Sequence, residues 1–289
     1  MNFLILGGNG YLGAKVTKAL IDINANVVCT IRKKSDLSRL KDYLSNVRLI
    51  PASLEAIETV LQYEKFDWVL NFACNYGRSE DLYDNVIESN IAFPLATLNA
   101  AVGHEIKNYL TIGTGLPDTF NMYSFSKKKF SEFGKYYVDK HKINFVNLKL
   151  QMFYGADEPE DRFIPMCIHK MLRNDIVDLT EGTQKRDIVS IDDVVDLVTY
   201  VIGQKLTGYY EIEVGCGEAP SIREIIEYIY SVTQSKSELR WGAVPMRAGE
   251  PDCLADISRM KEIGYSCKKD WKTGLADMIK EIKKNENIN

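Results

Sequence analysis

The chain has 289 residues, of which 45% are hydrophobic and 26% are charged, and its formal net charge is −4. This composition is typical of a globular protein that buries a large core, either in one large domain or in two smaller ones. The negative charge argues against nucleic acid or an anionic membrane surface as the main partner, and no apolar stretch approaches the ~20 residues that span a bilayer.

The six cysteines and three histidines limit the metal and disulfide chemistry that the chain can support. The cysteines show no C-x-x-C spacing and the histidines are not paired at ligand spacing, so we expect no metal site. Cys29 and Cys74 lie in apolar runs and are expected to be buried free thiols. The opening run MNFLILGG is too short for a signal peptide and lacks a basic flank. We therefore expect a cytoplasmic protein whose first strand begins near the N-terminus.

Short apolar runs alternate with helical patterns over the first two-thirds of the chain. This alternation predicts a doubly wound parallel sheet with helices on both faces and right-handed crossovers. The predicted strands are Phe3–Leu6, Val27–Ile31, Val47–Ile50, Trp68–Ala73, Tyr109–Ile112, Asn144–Leu150 and Ile188–Ser190. The predicted helices are Leu12–Asp22, Leu54–Tyr63, Leu95–Gly103, Tyr123–His141, Ile222–Val232 and Trp271–Lys283.

The first predicted strand opens directly into a glycine-rich turn. Gly7, Gly10 and Gly13 follow the apolar run and precede a helical pattern. At such a turn the free backbone N–H groups and the dipole of the next helix favour an anion, here the pyrophosphate of a dinucleotide. We expect Gly7 to permit the turn, Gly10 to let the backbone approach the phosphate, and Gly13 to let helix and strand pack closely.

A basic cluster follows the end of the second predicted strand. Arg32, Lys33 and Lys34 lie where NAD-binding folds place an acidic residue that holds the ribose hydroxyls of the cofactor. Basic side chains instead accommodate a 2′-phosphate. The sequence therefore predicts NADP(H) as the cofactor, with Arg32 as the main residue that recognises its 2′-phosphate.

A tyrosine and a lysine are four residues apart in the helical segment NMYSFSKKKF. This spacing places Tyr123 and Lys127 on one face of a helix, one turn apart. A nearby cation favours the phenolate and lowers the pKa of a tyrosine from near ~10, which suits proton transfer at neutral pH. Thr114 follows the fifth strand, at the sheet edge where doubly wound folds bind ligands. Each feature alone is also common on a helix surface or in a turn.

Together these features resemble the extended short-chain dehydrogenase/reductase superfamily (NAD-dependent epimerase/dehydratase family), in its sugar-nucleotide-modifying branch. The segments NYGR, GTGLP, YSFSK and VNLKLQMFYG, followed by RFIP, are most similar to sugar-nucleotide 4-ketoreductases of the CDP-abequose/paratose synthase type. The resemblance covers nearly the whole chain. It implies an NADP-dependent oxidoreductase that reduces the 4-keto group of a nucleoside-diphosphate 4-keto-(di)deoxyhexose, for a surface-polysaccharide sugar.

The resemblance also implies roles for individual residues. Thr114, Tyr123 and Lys127 would form the catalytic triad, and Lys127 would also hold the nicotinamide ribose. The expected cofactor-binding residues are Gly7, Gly10, Tyr11, Leu12, Gly13, Arg32, Lys33, Ser53, Ala73, Tyr123 and Lys127. The expected substrate-binding residues are Asn75, Tyr76, Arg78, Thr114, Arg186, Arg247 and Glu250. Those just past the fourth strand could equally be ordinary loop residues.

The segments after Phe153 alternate loop-like stretches with short helices. We expect a Rossmann-type NADP-binding domain over residues 1–152, with strands and helices partly continuing to about residue 200. A smaller C-terminal α/β substrate-binding part is expected over residues 153–289. There, the resemblance implies that Arg186 approaches the nucleotide half of the substrate, Arg247 its diphosphate and Glu250 a ribose. For both arginines the alternative is an exposed salt-bridge partner.

The same resemblance implies a homodimer, in which relatives often pair through the helix that carries the tyrosine. On that helix Phe130, Phe133 and Tyr137 could serve either an interface or the core.

Three positions depart from the pattern of the relatives. Gly115 and Leu116 lie where 4,6-dehydratases carry Asp-Glu as acid and base, which argues against a dehydratase. Met152 replaces an asparagine that is common two residues before the Tyr-Gly of the post-catalytic loop. Ser53 replaces an aspartate that often contacts adenine.

Other functions stay open at this point. A C4-epimerase with tightly held NAD would use the same triad. A C3/C5 epimerase-reductase needs a further acid–base pair, for which Cys167 and His169 are candidates by residue type only. A non-catalytic dinucleotide sensor would need the fold but not the triad, whereas all three triad residues are present.

Overall fold

The computed structural model describes residues 1–77 and 83–287. The chain divides into two compact units. The first unit comprises Met1–Lys149 and Val195–Ile212, and the second comprises Leu150–Val194 and Glu213–Asn289. Within the described residues, no helix combines the length and the apolar character needed to cross a membrane.

The strands and helices follow one another in the alternating order typical of α/β proteins. The strands are β1 (Asn2–Leu6), β2 (Asn26–Ile31), β3 (Val47–Pro51), β4 (Trp68–Asn71), β5 (Asn108–Thr114), β6 (Asn144–Leu150), β7 (Met152–Tyr154), β8 (Val177–Asp178), β9 (Ile188–Ser190), β10 (Tyr209–Val214) and β11 (Leu239–Arg240). The α-helices are α1 (Tyr11–Asp22), α2 (Leu54–Tyr63), α3 (Tyr83–Ile87), α4 (Phe93–Gly103), α5 (Met122–Lys140), α6 (Phe163–Arg173), α7 (Ile191–Gly203), α8 (Ile222–Thr233), α9 (Ser258–Glu262) and α10 (Trp271–Asn285). A 3₁₀ helix covers Ser38–Tyr43 and a π-helical turn covers Glu88–Ala92.

The first unit is built on a seven-stranded sheet in the order β10-β6-β5-β4-β1-β2-β3. Strand β1 pairs in parallel with both β2 and β4, so the strand order reverses beside it. In doubly wound sheets the ligand crevice opens at the carboxyl ends of the strands at this switch point. The chain therefore forms the Rossmann-type α/β fold that the sequence predicts. Its glycine turn leaves the sheet at the switch point.

Helix α5 packs closely against the sheet because a glycine faces an aromatic cluster. A Cβ atom on Gly134 would lie 2.3 Å from the ring of Phe145, so a larger residue would push the helix outward. The ring of Phe145 lies parallel to that of Tyr109, with 5.4 Å between centroids, and edge-on to that of Phe130, at 5.8 Å. These buried rings fix the helix that carries Tyr123 and Lys127.

The second unit has its own core, formed mainly by apolar side chains of α6, α8 and α10. Two short parallel pairs, β7 with β9 and β8 with β11, complete it. Helix α8 begins with a capping box, in which Ser221 and Glu224 each bond the backbone N–H of the other.

Several predicted elements differ from the structure at their ends. The fourth predicted strand continues to Ala73, but β4 stops at Asn71, whose side-chain oxygen accepts a hydrogen bond from the Ala73 N–H at 3.2 Å. The edge strand β10 was not predicted, because its sequence YYEIEV carries two glutamates and a short apolar pattern. Helix α6 was also not predicted as a helix.

Candidate active site

The glycine turn after β1 has the geometry that a dinucleotide phosphate requires. Gly7 has φ +73°, and a Cβ atom there would lie 2.8 Å from the backbone nitrogen of Ala73. A Cβ atom on Gly13 would lie 2.2 Å from the Gly7 carbonyl oxygen, so only glycine lets α1 approach this closely. Gly10 is the N-cap of α1 and, as a glycine, makes no side-chain cap bond. The turn therefore fits a pyrophosphate at the start of α1.

A further glycine requirement was missed in the sequence. A Cβ atom on Gly8 would lie 2.4 Å from Cys29 Sγ and 3.2 Å from Thr17 Oγ1. Cys29 is fully buried, and burial raises the pKa of its thiol to about 12 against an opposing hydrogen bond from Thr17. The adjacent Gly-Gly pair was the available signal, since two glycines in succession indicate two separate close approaches.

The region after β2 presents several cations. Arg32 and Lys33 are exposed, and Arg32 closes a tight turn by donating its backbone N–H to Ser35 Oγ at 3.0 Å. Arg39 was not predicted. Its guanidinium lies 5.9 Å from the ring centroid of Tyr11, the first residue of α1. This cationic surface is compatible with a 2′-phosphate.

Other expected cofactor residues have structural roles. Leu12, the second residue of α1, is buried. Ser53 is the N-cap of α2 and its hydroxyl accepts the Ala56 N–H at 3.2 Å. Ala73 is partly buried beside the glycine turn. The hydroxyl of Ser53 is therefore already used to hold α2, which is the ordinary task of a serine at that position.

The tyrosine and the lysine of the predicted triad lie on the first two turns of α5. Asn121 and Ser124 form a capping box that fixes the helix start. Lys127 is only 5% exposed, and burial lowers the pKa of its ammonium, with Cys74 acting in the opposite direction. Tyr123 is partly exposed and therefore reachable. Helix α5 thus presents an accessible phenol one turn before a buried cation.

Thr114 is the last residue of β5, at the carboxyl end of the sheet. Its hydroxyl accepts the Leu116 N–H at 3.3 Å, which turns the chain away from the strand. The hydroxyl lies at the sheet edge where ligands of this fold bind.

The loop after β4 is fixed from the π-helical turn. Asn90 is 1% exposed, and its side-chain oxygen accepts the Asn75 N–H at 2.7 Å while its amide donates to the Asn75 carbonyl at 2.8 Å and to Ser126 Oγ at 2.9 Å. The ring of Tyr76 then packs against that of Tyr123, with 5.0 Å between centroids. The structure therefore brings Asn75 and Tyr76 beside the predicted triad. Arg78 lies outside the described residues.

Asn90 was missed because an asparagine within a helical pattern carries no functional signal by itself. Its position in a π-helical turn is the unusual feature, since such turns are rare and frequently occur at functional sites.

A polar network behind α5 was also missed. Glu211 on β10 accepts hydrogen bonds from Ser131 Oγ at 2.8 Å, Tyr209 OH at 2.8 Å and Asn147 Nδ2 at 3.1 Å. A Cβ atom on Gly113 would lie 2.6 Å from Asn147 Oδ1. Through Asn147 and Ser131, the network therefore links Gly113, the residue before Thr114, with the turn of α5 that follows Lys127.

This network stabilises the ionised form of the Glu211 carboxyl group. Burial raises the pKa of the carboxyl, but the hydrogen bonds from Ser131, Tyr209 and Asn147, together with the Lys128 ammonium, outweigh it and lower the pKa. Burial raises the pKa of Tyr209, which therefore keeps its proton and donates it. Glu211 therefore acts as a fixed anion and not as a proton donor.

In the second unit, two expected substrate residues contact each other. Arg186 forms an ion pair with Glu250, and their side chains are 11% and 17% exposed. Arg186 also donates to the carbonyl oxygens of Lys185 at 2.7 Å and Pro251 at 2.6 Å. Arg186 is thus a salt-bridge partner, but a largely buried one. Arg247 is exposed, and its carbonyl accepts the Glu250 N–H at 3.2 Å.

One group of side chains in the described residues could hold a metal ion by ligand type. Glu160, His169 and Glu286 lie together. Arg173 lies 3.6 Å from the Glu160 carboxylate and 3.9 Å from that of Glu286, so a cation already balances this group. Cys167, on the same helix as His169, is fully buried, and burial raises the pKa of its thiol to about 12. This burial gives it no access to a substrate as an acid or base.

Comparison with known proteins places the chain among enzymes of this architecture. The model of the NAD dependent epimerase/dehydratase family matches residues 3–215. The CDP-abequose synthase of Salmonella typhimurium is 27% identical, over 96% of this chain and 97% of that protein. The structure of a UDP-glucose 4-epimerase with UDP-glucose from Thermotoga maritima superposes with a TM-score of 0.88 at 19% identity, covering 99% and 100% of the two chains. A dTDP-glucose 4,6-dehydratase from Bacillus anthracis in complex with NAD gives 0.86 at 16% identity, covering 99% and 98%.

Proposed function

The chain belongs to the NAD dependent epimerase/dehydratase family, and from this we propose that it is an NADP-dependent nucleotide-sugar 4-ketoreductase. Its substrate is a nucleoside-diphosphate 4-keto-(di)deoxyhexose, and its product serves a surface polysaccharide. The observation that carries the reaction type is the partly exposed Tyr123 one turn before the buried Lys127. The similarity to a CDP-abequose synthase over almost the whole of both chains supports the substrate class.

Each polar side chain of the triad has a role in the proposed reaction. When bound, the nicotinamide supplies a hydride to the keto carbon of the sugar. Tyr123 donates its proton to the carbonyl oxygen as negative charge develops there. Thr114 hydrogen-bonds the same oxygen and orients it. Lys127 holds the cofactor ribose and stabilises the tyrosinate left behind, an interaction that burial away from water strengthens.

The residues around the triad would position the sugar. The ring of Tyr76 lies against Tyr123, and Asn75 is held by Asn90, so both present fixed groups beside the reacting oxygen. Arg186, Arg247 and Glu250 would bind the nucleotide half of the substrate. Arg186 is held in place by its ion pair.

The cofactor is tested first, by titrating purified protein with NADPH and NADH and following nicotinamide fluorescence. We expect an initially empty site and a clear preference for NADPH. Arg32→Ala should weaken NADPH binding by at least about tenfold, since it removes one charge-assisted contact to phosphate, and should leave NADH binding nearly unchanged. Lys34→Ala, in the same exposed turn, is the matched control and should have a smaller effect.

The reaction is tested with a CDP-linked 4-keto-dideoxyhexose, with UDP- and dTDP-linked sugars for comparison. A reductase consumes one NADPH for each 4-hydroxyl formed. The alternative is an NAD-dependent nucleotide-sugar C4-epimerase, which uses the same triad. Protein that purifies with bound NAD and interconverts 4-hydroxy epimers without net cofactor consumption would establish that alternative and overturn the reductase.

A further inference from the structure

Two cysteines of the second unit lie side by side at its surface. Cys216 follows β10, and Cys267 lies shortly before α10. Cys267 Sγ is 3.3 Å from the carbonyl oxygen of Gly215, the residue next to Cys216. The Cys216 thiol donates to the carbonyl oxygens of Ile188 at 3.3 Å and of Lys269, two residues after Cys267, at 3.7 Å. Two residues that are distant in the sequence therefore each place their thiol against the backbone beside the other.

This pair is more accessible to solvent than three of the other four thiols; Cys74, which was expected to be buried, is also partly exposed. Cys29, Cys167 and Cys253 are buried. Cys216 and Cys267 are partly exposed and line a surface cleft of about 300 Å³. This volume exceeds the ~30 Å³ that one water occupies, so the cleft admits a small oxidant such as hydrogen peroxide.

The two thiols are not equivalent. The neighbouring Cys267 side chain, followed by burial, raises the pKa of Cys216. Cys216 therefore keeps its proton, which it donates to the carbonyl oxygen of Ile188. Since the thiolate is the nucleophile in thiol chemistry, Cys267 is the sulfur that reacts first and Cys216 is the one that resolves.

We propose that Cys216 and Cys267 form a redox-modifiable dithiol, which hydrogen peroxide converts into an intramolecular disulfide. The Cys267 thiolate attacks one peroxide oxygen, so that an S–O bond forms and the O–O bond breaks. The departing hydroxide takes up a proton and leaves as water. Cys216 then attacks the sulfenic sulfur, and the S–S bond forms while the S–O bond breaks. The second hydroxide leaves as water with the Cys216 proton. In sum, two thiols are oxidised by two electrons and one peroxide is reduced to two waters.

The bond would join two segments that support neighbouring parts of the second unit. The backbone N–H groups of Cys216 and Gly217 donate to the buried Asp187 carboxylate at 2.7 and 2.9 Å. The N–H of Lys268, next to Cys267, donates to Asp193 at 2.8 Å. A disulfide here closes a long loop of chain, which restricts the unfolded state and stabilises the fold.

The test uses the full chain, treated with hydrogen peroxide and analysed by non-reducing peptide mass spectrometry and thiol counting. We expect wild-type protein to lose two of its six thiols and two hydrogens of mass, with peptides containing Cys216 and Cys267 joined. The oxidised protein should unfold at a temperature several degrees higher than the reduced one, and a dithiol reductant should reverse both changes.

Single variants identify the order of attack. Cys216→Ser should accumulate a sulfenic acid on Cys267 that a dimedone probe captures, whereas Cys267→Ser should form neither the adduct nor the disulfide. Cys253→Ser, in the same unit, is the matched control and should form the disulfide as wild type does. The proposal is overturned if both thiols stay free under peroxide while Cys74 is oxidised, or if the joined peptides contain another pair.

Discussion

Tyr123 and Lys127 have different surroundings although they are one helical turn apart. The phenol is partly exposed, while the ammonium is buried and its pKa is lowered by that burial. A buried cation interacts strongly with a nearby phenolate, because little water lies between them to screen the charges. The chemical asymmetry of the site is therefore set by two residues of a single helix.

Removal of the Tyr123 hydroxyl should stop proton donation without disturbing the cofactor. We expect Tyr123→Phe to reduce kcat by about 10²–10⁴-fold, which is the usual contribution of a positioned general acid, and to leave the NADPH dissociation constant within about twofold. Steady-state kinetics and fluorescence titration measure the two quantities. Tyr136→Phe, an exposed tyrosine on the same helix, serves as the control and should behave as wild type. Near-normal turnover by Tyr123→Phe would exclude it as the acid.

The glycines of the turn make a residue-level prediction about stability. A Cβ atom on Gly13 would lie 2.2 Å from a backbone oxygen, so Gly13→Ala must displace α1 or the turn. We expect it to lower the free energy of unfolding by about 1–3 kcal/mol and to weaken cofactor binding. Gly103→Ala is the control, because nothing lies within 4 Å of a Cβ atom there and alanine favours the helix. Urea unfolding of both variants measures the difference, and equal stabilities would contradict the role of Gly13.

At the level of elements, hydrophobic periodicity and capping signals were enough to locate most of the first unit. Helix α2 and strand β6 have the predicted bounds, because Ser53 caps the former and four of the seven residues of the latter are apolar. Strand β10 could not be found in this way, since Glu211 lies within it and its charge is stabilised by groups from distant parts of the chain. Ser131 and Asn147 donate hydrogen bonds to it, and the ammonium groups of Lys128 and Lys149 lie 3.8 and 3.9 Å away.

In the candidate site, too, some residues could be predicted from local sequence spacing, whereas others are positioned only by tertiary contacts. Gly7, Tyr123 and Lys127 carry a spacing that is visible in the sequence. The bonds that Asn90 makes to Asn75 and Ser126 depend on tertiary contacts, and no local pattern marks them.

The Glu211 network should give the fold a measurable dependence on pH. Because the folded-state pKa of this carboxyl lies below its usual value of 4.5, its ionised form stabilises the protein above that pH. The contribution is lost as the pH falls through the lowered pKa. Glu211→Gln should therefore cost about 1–2 kcal/mol near neutral pH, and the difference from wild type should shrink below pH 4.5.

Urea unfolding at several pH values measures this dependence. Glu132→Gln is the control, since Glu132 lies on α5 with its side chain half exposed and pairs with Lys129 only at the surface. A constant difference between wild type and Glu211→Gln over the whole pH range would contradict the argument.

At the scale of the whole molecule, the aromatic residues of α5 divide between the core and the surface. Phe130 belongs to the core, and Tyr137 packs against that core. Phe133 is 40% exposed, and the exposed rings of Phe125 and Tyr136 lie on the same helix. Two of the three aromatic residues considered in the sequence therefore serve the core of the first unit, whereas Phe133 faces solvent.

We propose that this face pairs two copies of the chain. Phe133→Glu should convert a dimer into a monomer, because it places a charge at the centre of an apolar contact. Sedimentation equilibrium measures the mass. Tyr63→Glu, which changes a ring at the end of α2 that is 77% exposed, should leave the dimer intact. A wild-type protein that is monomeric at all concentrations would contradict the proposal.

The contact between Gly8 and Cys29 has a consequence for how this sequence can diverge. A methyl group on residue 8 would occupy the space that now holds the Cys29 sulfur, so the two positions share one fixed volume. Alanine at position 8 should be accepted only together with a smaller residue than cysteine at position 29. Among related chains, side-chain volume at these two positions should therefore be anticorrelated, and the double exchange should restore the stability that Gly8→Ala alone removes.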